Sequence, residues 1–317
     1  MNSDLKHVPV ALDRCIELLT PAFSNKIKPV VIDCTIGLGG HASALLAKIP
    51  NLHLIGIDRD LTALAFSKEL LAQYSNRIDL VHTTYDQIES VLKNLGINSV
   101  DGILFDLGVS SMQLDEADRG FSYSKSAPLD MRMDQSAPLT AEVILNTYSH
   151  GELAKLLQKF GEEKFASKIA ENIIKARATG SLKSTKDLAE LVKESIPAPA
   201  RRTGGNPAKR TFQALRIEVN QELAILERAI PAALKALNVG GRLVVMSYQS
   251  LEDRIVKNFF VQATTGSTPL GLPIELPNSA AKYKLLLNAS EAADLVEQDE
   301  NPRSQSMRLR AIERVAA

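Results

Sequence analysis

Residues 29–46, PVVIDCTIGLGGHASALL, carry the reading that decides the fold. Pro29-Val30-Val31-Ile32-Asp33 is a short β-branched run ending in an acid, the pattern of a buried strand. Glycines follow, and Ser43 to Lys48 has the composition of a short helix. Outward from this unit the rhythm repeats. Leu52 to Asp58 reads as a second strand, Leu61 to Tyr74 as a helix and Arg77 to Val81 as a third strand. Gln87 to Leu95 reads as a helix and Gly102 to Asp106 as a fourth strand. Strands alternating with helical patterns predict a parallel sheet with helices on both faces. Strands one, two and four each end in Asp, at the edge where open α/β sheets bind ligands.

The next strand signal, Arg242 to Ser247, follows Gly240-Gly241, which reads as a helix stop. About 135 residues separate it from Asp106, whereas a βαβ unit needs roughly 30. The gap therefore predicts an inserted, mostly helical domain. Gly151 to Phe160, Glu162 to Ala178 and Thr185 to Ser195 have helical periodicity, and Ser184 with Asp187 resembles a capping box. Asn206-Pro207 reads as a helix start. The stripe Phe212, Leu215, Val219, Leu223, Leu226, Ile230 then predicts one helix returning to the sheet. Near the end, 264–282 is rich in Pro and Gly, the acids of 291–300 read as a solvated face, and Met307 to Val315 predicts a last, edge strand.

Composition narrows the class. The 317 residues are 45% hydrophobic and 23% charged, which suits a globular protein with one or two domains. Thirty-seven basic side chains balance thirty-seven acidic ones, so any anion-binding surface has to be local. Cys15 and Cys34 have no metal or redox spacing and read as buried thiols in a reducing compartment. The five histidines are scattered, so no metal site is expected. No signal-type apolar segment opens the chain and no run is long enough to span a bilayer, giving a cytoplasmic expectation with no membrane partner.

The chemistry signals start at the glycine loop. Glycines let the backbone turn sharply and approach a ligand, and the helix start adds free N–H groups. Gly37-x-Gly39-x-x-Ala42 fits the dinucleotide fingerprint. It equally fits the Asp-x-x-x-Gly-x-Gly loop of S-adenosylmethionine methyltransferases, and close packing of the first βα turn would also use these glycines. Asp58, at the end of strand two, can accept both ribose hydroxyls of an adenosine, which NAD and S-adenosylmethionine share; Asp60 is the better helix cap. Asp106 opens the loop where amino-methyltransferases place their reactive groups. A carboxylate there can accept the N–H bonds of a weakly nucleophilic base amine, or hold the methionine part of the cofactor. No (Asp/Asn)-Pro-Pro-(Tyr/Phe) motif accompanies it.

A local basic cluster lies in the insert. Between Ser195 and Ile217 there is no acid but Arg201, Arg202, Lys209, Arg210 and Arg216. Lys and Arg beside a helix start suit phosphate contacts, so Lys209 and Arg210 are candidate RNA-binding residues; a solvated loop is the competing reading. In Leu129 to Asp134, LDMRMD, Arg132 reads equally as part of an ion-paired strap or as an RNA contact.

Several strings together resemble the bacterial 16S ribosomal RNA cytosine-N4 methyltransferases, the MraW/RsmH family. They are DCTIGLGGHASALL (33–46), GIDRD (56–60), DGILFDLGVSSMQLD (101–115), LDMRMD (129–134), KRTFQALRIEVNQEL (209–223) and GGRLVVMSYQSLEDRIVKNFF (240–260). The resemblance runs from His7-Val8-Pro9-Val10 almost to the C-terminus. It implies an α/β, Rossmann-like class I methyltransferase sheet with an inserted mostly helical domain. Residues 1–115 and 219–317 would bind S-adenosylmethionine, and 116–218 would recognise the substrate. The implied reaction is methylation of the N4 amine of one cytidine in the decoding region of 16S rRNA, with the small ribosomal subunit as partner; a homodimer is compatible with it. Carried over by motif, cofactor contacts fall on Gly39, Gly40, His41, Asp58, Tyr85, Asp106 and Gln113, with Asp106 also the catalytic candidate. The family's usual Ser-Phe-His-Ser-Leu-Glu-Asp appears here as Ser247-Tyr248-Gln249-Ser250-Leu251-Glu252-Asp253. Gln249 cannot act as a base, which invites the alternative of a non-catalytic RNA-binding or ribosome-assembly factor. An NAD-dependent oxidoreductase is the other class the glycine loop permits.

Overall fold

The computed structural model describes residues 9–201, 205–266 and 280–317. In chain order the elements open with α1 (Leu12–Leu19), β1 (Val30–Asp33), α2 (Gly40–Lys48), β2 (His53–Asp58), α3 (Leu61–Leu70), β3 (Ile78–His82), α4 (Ile88–Leu95) and β4 (Val100–Asp106). Then come α5 (Ser111–Asp115), α6 (Ala141–Thr147), α7 (His150–Gly161), α8 (Ala166–Thr179), α9 (Thr185–Ser195), α10 (Ala198–Arg201) and α11 (Lys209–Asn220). The chain closes with α12 (Glu222–Ala236), β5 (Leu237–Ser247), α13 (Ser250–Ala263), β6 (Tyr283–Leu285), α14 (Leu295–Glu300) and β7 (Arg308–Arg314).

The chain divides into two compact units, one of Met1–Gly108 with Leu223–Ala317 and one of Val109–Glu222. The boundaries expected at 115/116 and 218/219 move to 108/109 and 222/223. The loop that opens the insert is thus part of the second unit from Val109 onward.

The first unit is a Rossmann-like sheet ordered β3-β2-β1-β4-β5-β7-β6. Strands one to five pair in parallel, and β7 runs antiparallel to both β5 and β6. A parallel strand is covered on both faces, which is why these segments read as unbroken apolar runs. Alternation still sorts them. Val31, Leu54, Leu104 and Val244 join one apolar cluster, while Ile32, Ile55, Ile103 and Val245 join the other. Strand order reverses at β1 and β4, so their C-terminal ends flank the topological switch point, the standard crevice for ligands.

Four local readings change in the structure. Gly240-Gly241 does not stop a helix. The helix ends at Ala236, and both glycines lie in an irregularity of β5, where pairing with β4 jumps from Val100↔Leu237 to Gly102↔Arg242. Gly240 has φ +82°, and a Cβ on Gly241 would sit 2.8 Å from the Asn238 carbonyl oxygen. The single apolar stripe from Phe212 to Ile230 is two helices, broken where Gln221 turns left-handed at φ 50°. Asn206 does not cap α11, which starts at Lys209. Its side chain instead accepts from the Ala208 N–H at 2.9 Å, closing a turn just before the helix. The final strand is not an edge, because β6 pairs beyond it.

The acids of 291–300 also do more than face solvent. Glu291 takes a bidentate pair from Arg14 (2.9 Å on each oxygen), and Glu297 accepts from the Ala11 N–H at 2.6 Å. These contacts tie the start of α1 to the C-terminal region. Most of the Pro- and Gly-rich stretch 264–282 lies outside the described residues.

The second unit is helical around one core that includes Leu129, Met131, Met133, Leu157, Ile169, Leu188 and Leu215. Its helix starts follow from local sequence: Ser149 with Glu152 and Ser184 with Asp187 form reciprocal capping boxes, and Thr140 caps α6. The helix expected from Glu162 starts only at Ala166, since Glu162 itself turns left-handed at φ 48° after α7.

Candidate active site

Each acid that ends a strand arrives at one edge of the sheet because the strands are parallel and in register. Asp33 pairs with Gly56 and Leu104, and Asp106 pairs with Met246. The loop between β1 and α2 crosses this edge. Gly39, at φ +83°, ends the loop and precedes the first turn of α2, a conformation that L side chains rarely adopt. Gly40 lies against Pro9; a Cβ there would be 2.3 Å from Pro9 Cγ.

Asp58 braces the loop from the side. One carboxylate oxygen accepts from the Gly37 N–H and the other from the Asp60 N–H, both at 2.9 Å. Asp60 caps α3 by accepting from the Thr62 N–H, as its position suggested. Burial raises the Asp58 carboxyl above its usual value, and the two N–H bonds hold it down. Asp33 is 2% exposed. Burial pushes it up to about 7, against the pull of the Thr35 N–H and with the help of the negative charges on Asp106 and Asp58.

Asp106 sits between several partners. Its N–H donates to Thr35 Oγ1 at 2.7 Å, its Oδ1 accepts from the Tyr248 hydroxyl at 2.8 Å, and its Oδ2 lies 4.0 Å from His41 Nδ1. His41 is buried, and its Nε2–H donates to the Val10 carbonyl at 3.1 Å, which fixes the ring and turns Nδ1 toward Asp106. Tyr85 follows β3 and packs edge-on against Phe105, with ring centroids 5.4 Å apart. The structure therefore brings Gly39, Gly40, His41, Asp58 and Asp106 to one sheet edge, with Tyr85 just after the neighbouring strand.

Gln113 belongs to the second unit. There it completes a capping box on α5: its Oε1 accepts from the Ser110 N–H at 3.1 Å, and its own N–H donates to Ser110 Oγ at 3.3 Å. In the same unit Arg132 is a strap. Its guanidinium bonds both oxygens of Asp130 and the carbonyls of Gln135 and Ala137, within 2.7–3.2 Å. Arg119 adds bonds to the Arg132 and Met133 carbonyls, and Asn220 to the Met131 carbonyl and the Met133 N–H. Of the two roles open to Arg132, the geometry supplies the strap. Lys209 and Arg210 are exposed in the first turn of α11, Arg210 reaching the Glu162 carbonyl at 3.0 Å.

The sequence reading missed the Tyr248 hydroxyl and the Val10 carbonyl as parts of this site. The first left a trace, a Tyr where the resembling string has Phe. The second left none, because a carbonyl carries no side-chain signature. Gln249, the departure that stood out, starts α13: its N–H and its amide Nε2 both donate to Glu252, at 3.1 and 3.3 Å.

A glycine loop, a strand-end acid beside it and a second acid across the switch point match the pattern expected of a nucleotide-type cofactor site, and comparison with known proteins gives the chain a family. The MraW methylase family matches residues 4–315. The chain belongs to this family. The ribosomal RNA small subunit methyltransferase H of Mycolicibacterium paratuberculosis is 55% identical, covering all of this chain and 84% of that protein. The enzymes of the same name from Renibacterium salmoninarum (54% identical, 98% and 95% covered) and Saccharopolyspora erythraea (55%, 98% and 94%) are similar over comparable spans. An rRNA methylase structure from Streptococcus thermophilus aligns at TM-score 0.42 and 11% identity over 96% of this chain and 94% of that one; the strand order itself carries the fold assignment. This MraW-family chain is thus a methyltransferase with a Rossmann-like sheet. Among the described residues no helix is long and apolar enough to cross a membrane.

Proposed function

We propose that this chain transfers the methyl group of S-adenosylmethionine to the N4 amine of one cytidine in the decoding region of 16S rRNA, acting on the small ribosomal subunit in the bacterial cytoplasm. The observation that carries the cofactor assignment is the set of three carboxylates, Asp33, Asp58 and Asp106, converging on one glycine loop. Burial first, and then the charges on Asp106 and Asp58, raise Asp33 to about 7, so the negative charge crowded there is that of Asp58 and Asp106. A ligand with a sulfonium and an ammonium relieves that crowding, whereas the pyrophosphate of NAD would add to it. The donor set therefore fits S-adenosylmethionine and disfavours the oxidoreductase reading.

Bound there, the cofactor supplies an electrophilic methyl group. Asp58 is placed to accept the ribose hydroxyls beside the Gly37 turn, and Tyr85 to pack against adenine. Gly39, Gly40 and His41 line the loop, and Gln113 is assigned to the cofactor by motif alone. Asp106 is placed to accept an N–H of the target amine or the cofactor's ammonium. Accepting an amine N–H favours the nitrogen lone pair at the moment of attack, and the carboxylate costs no reorganisation because its partners already hold it. Lys209 and Arg210 supply phosphate contacts for the RNA. The target base has to leave its stack to reach the methyl group. Gln249 starts α13 with its N–H and Nε2 on Glu252 and supplies no base, so the non-catalytic assembly factor is the alternative that the following test separates.

The test is methyl transfer to small subunits lacking the modification, using methyl-labelled S-adenosylmethionine and nucleoside analysis. Label in N4-methylcytidine is expected. Label in another nucleoside would discard the assigned target, and no label despite cofactor binding would favour the assembly factor.

A further inference from the structure

β5 runs beside β4 to the site, with Asp106 paired to Met246 and the Leu107 N–H donating to the Met246 carbonyl at 3.0 Å. Tyr248 follows immediately after β5. Its backbone is fixed by Glu252, a side chain only 2% exposed, whose Oε2 accepts from the Tyr248 N–H at 3.0 Å and the Gln249 N–H at 3.1 Å. Its ring packs on the apolar cluster that includes Cys15, Leu104 and Met246. A Cβ on Gly108 would meet the ring at 3.6 Å, ordinary contact distance. With main chain and ring both set, the hydroxyl has one direction, and it donates to Asp106 Oδ1 at 2.8 Å. Burial first, then the charge on Asp106, hold the phenol far above its ordinary value, so the group stays a proton donor at any working pH.

A phenol donating to one oxygen favours the ionised carboxylate and removes a rotational choice. We propose that Tyr248 is a positioning residue: its hydroxyl fixes the orientation of the Asp106 carboxyl, with Oδ1 occupied and Oδ2 turned to the side where His41 stands. This rests on the methyl-transfer reading, in which Asp106 meets cofactor or amine.

Wild type, Tyr248→Phe, Asp106→Ala and the double variant form a thermodynamic cycle. S-adenosylhomocysteine affinity is read by calorimetry, and kcat/KM by methyl transfer to small subunits. Losing one hydrogen bond to a charged group predicts a fall of about 10- to 100-fold in kcat/KM for Tyr248→Phe. Its loss of affinity for the product S-adenosylhomocysteine should shrink to less than about twofold when Asp106 is already Ala. Equal loss in both backgrounds would mean a merely structural tyrosine and overturn the proposal, as would wild-type affinity and kinetics in Tyr248→Phe. If wild type bound the product but transferred no methyl group, the functional reading would fall, and the binding cycle would still decide Tyr248. A wild type that bound no product would overturn both.

Discussion

Replacing Asp33 with Asn should stabilise this protein, and increasingly so as pH rises. Asp33 ends β1 with 2% of its surface exposed, and its carboxylate accepts from the Thr35 N–H at 3.2 Å. Its carboxyl is pushed up to about 7 from 3.8, by burial first and then by the charges on Asp106 and Asp58. Below pH 3.8 it is protonated in folded and unfolded chains alike and contributes nothing. Between 3.8 and about 7 the unfolded chain gives up the proton while the folded one keeps it, so stability falls as pH rises. Above that range the whole cost is present, about 4 kcal/mol, since each tenfold change in the proton equilibrium is worth about 1.36 kcal/mol. Asn keeps an acceptor for Thr35 and cannot ionise. The variant's advantage should therefore be near zero at about pH 3, about 1.6 kcal/mol at about pH 5 and about 4 kcal/mol at about pH 8, the last a rise of roughly 8–15 °C in melting temperature. Urea midpoints of the cofactor-free protein, followed by far-UV circular dichroism at each pH, measure it. An advantage independent of pH, or a loss of stability at the higher pH, would refute the argument that burial keeps this carboxyl protonated.

Asp58→Ala should weaken S-adenosylhomocysteine binding by about 100-fold or more, because up to two charge-assisted bonds to ribose disappear together with the brace on the Gly37 N–H; calorimetry reads it. Lys209→Ala with Arg210→Ala should weaken binding to small subunits and flatten its dependence on salt. The slope of log affinity against log salt should shrink by about one for each phosphate left without its cation, measured by filter binding across a salt series. Arg132→Ala should leave that slope unchanged and lower the melting temperature, since its bonds hold Asp130, Gln135 and Ala137. Asn220→Ala should cost about 2–5 kcal/mol of second-unit stability in a urea titration, because it strands the Met133 N–H and the Met131 carbonyl in a buried place.

The sequence by itself determined the strands of the parallel sheet and their acidic ends. Apolar runs bounded by glycine, proline and polar residues are local signals, and burial on both faces makes them unambiguous. It also determined that a helical insert interrupts the sheet, from spacing alone, and its Ser-x-x-acid caps located several helix starts. The glycine loop, Asp58 and Asp106 were legible as a site because their place at strand ends is set by chain order. Other features depend on a partner far along the chain, and only the tertiary structure decided them. Gly240-Gly241 has the local pattern of a helix stop, yet pairing with β4 makes it an irregularity within a strand. Met307 to Val315 has the pattern of an edge strand, yet β6 pairs beyond it. Arg132 has a charge that suits a strap or an RNA contact alike, and only the fold shows the bonds to Asp130, Gln135 and Ala137 that make the strap. Tyr248 stands 142 residues from Asp106, and no local pattern relates them. A hydrogen bond is decided by the last few tenths of an ångström between two groups, and the packing of whole strands and helices sets that distance.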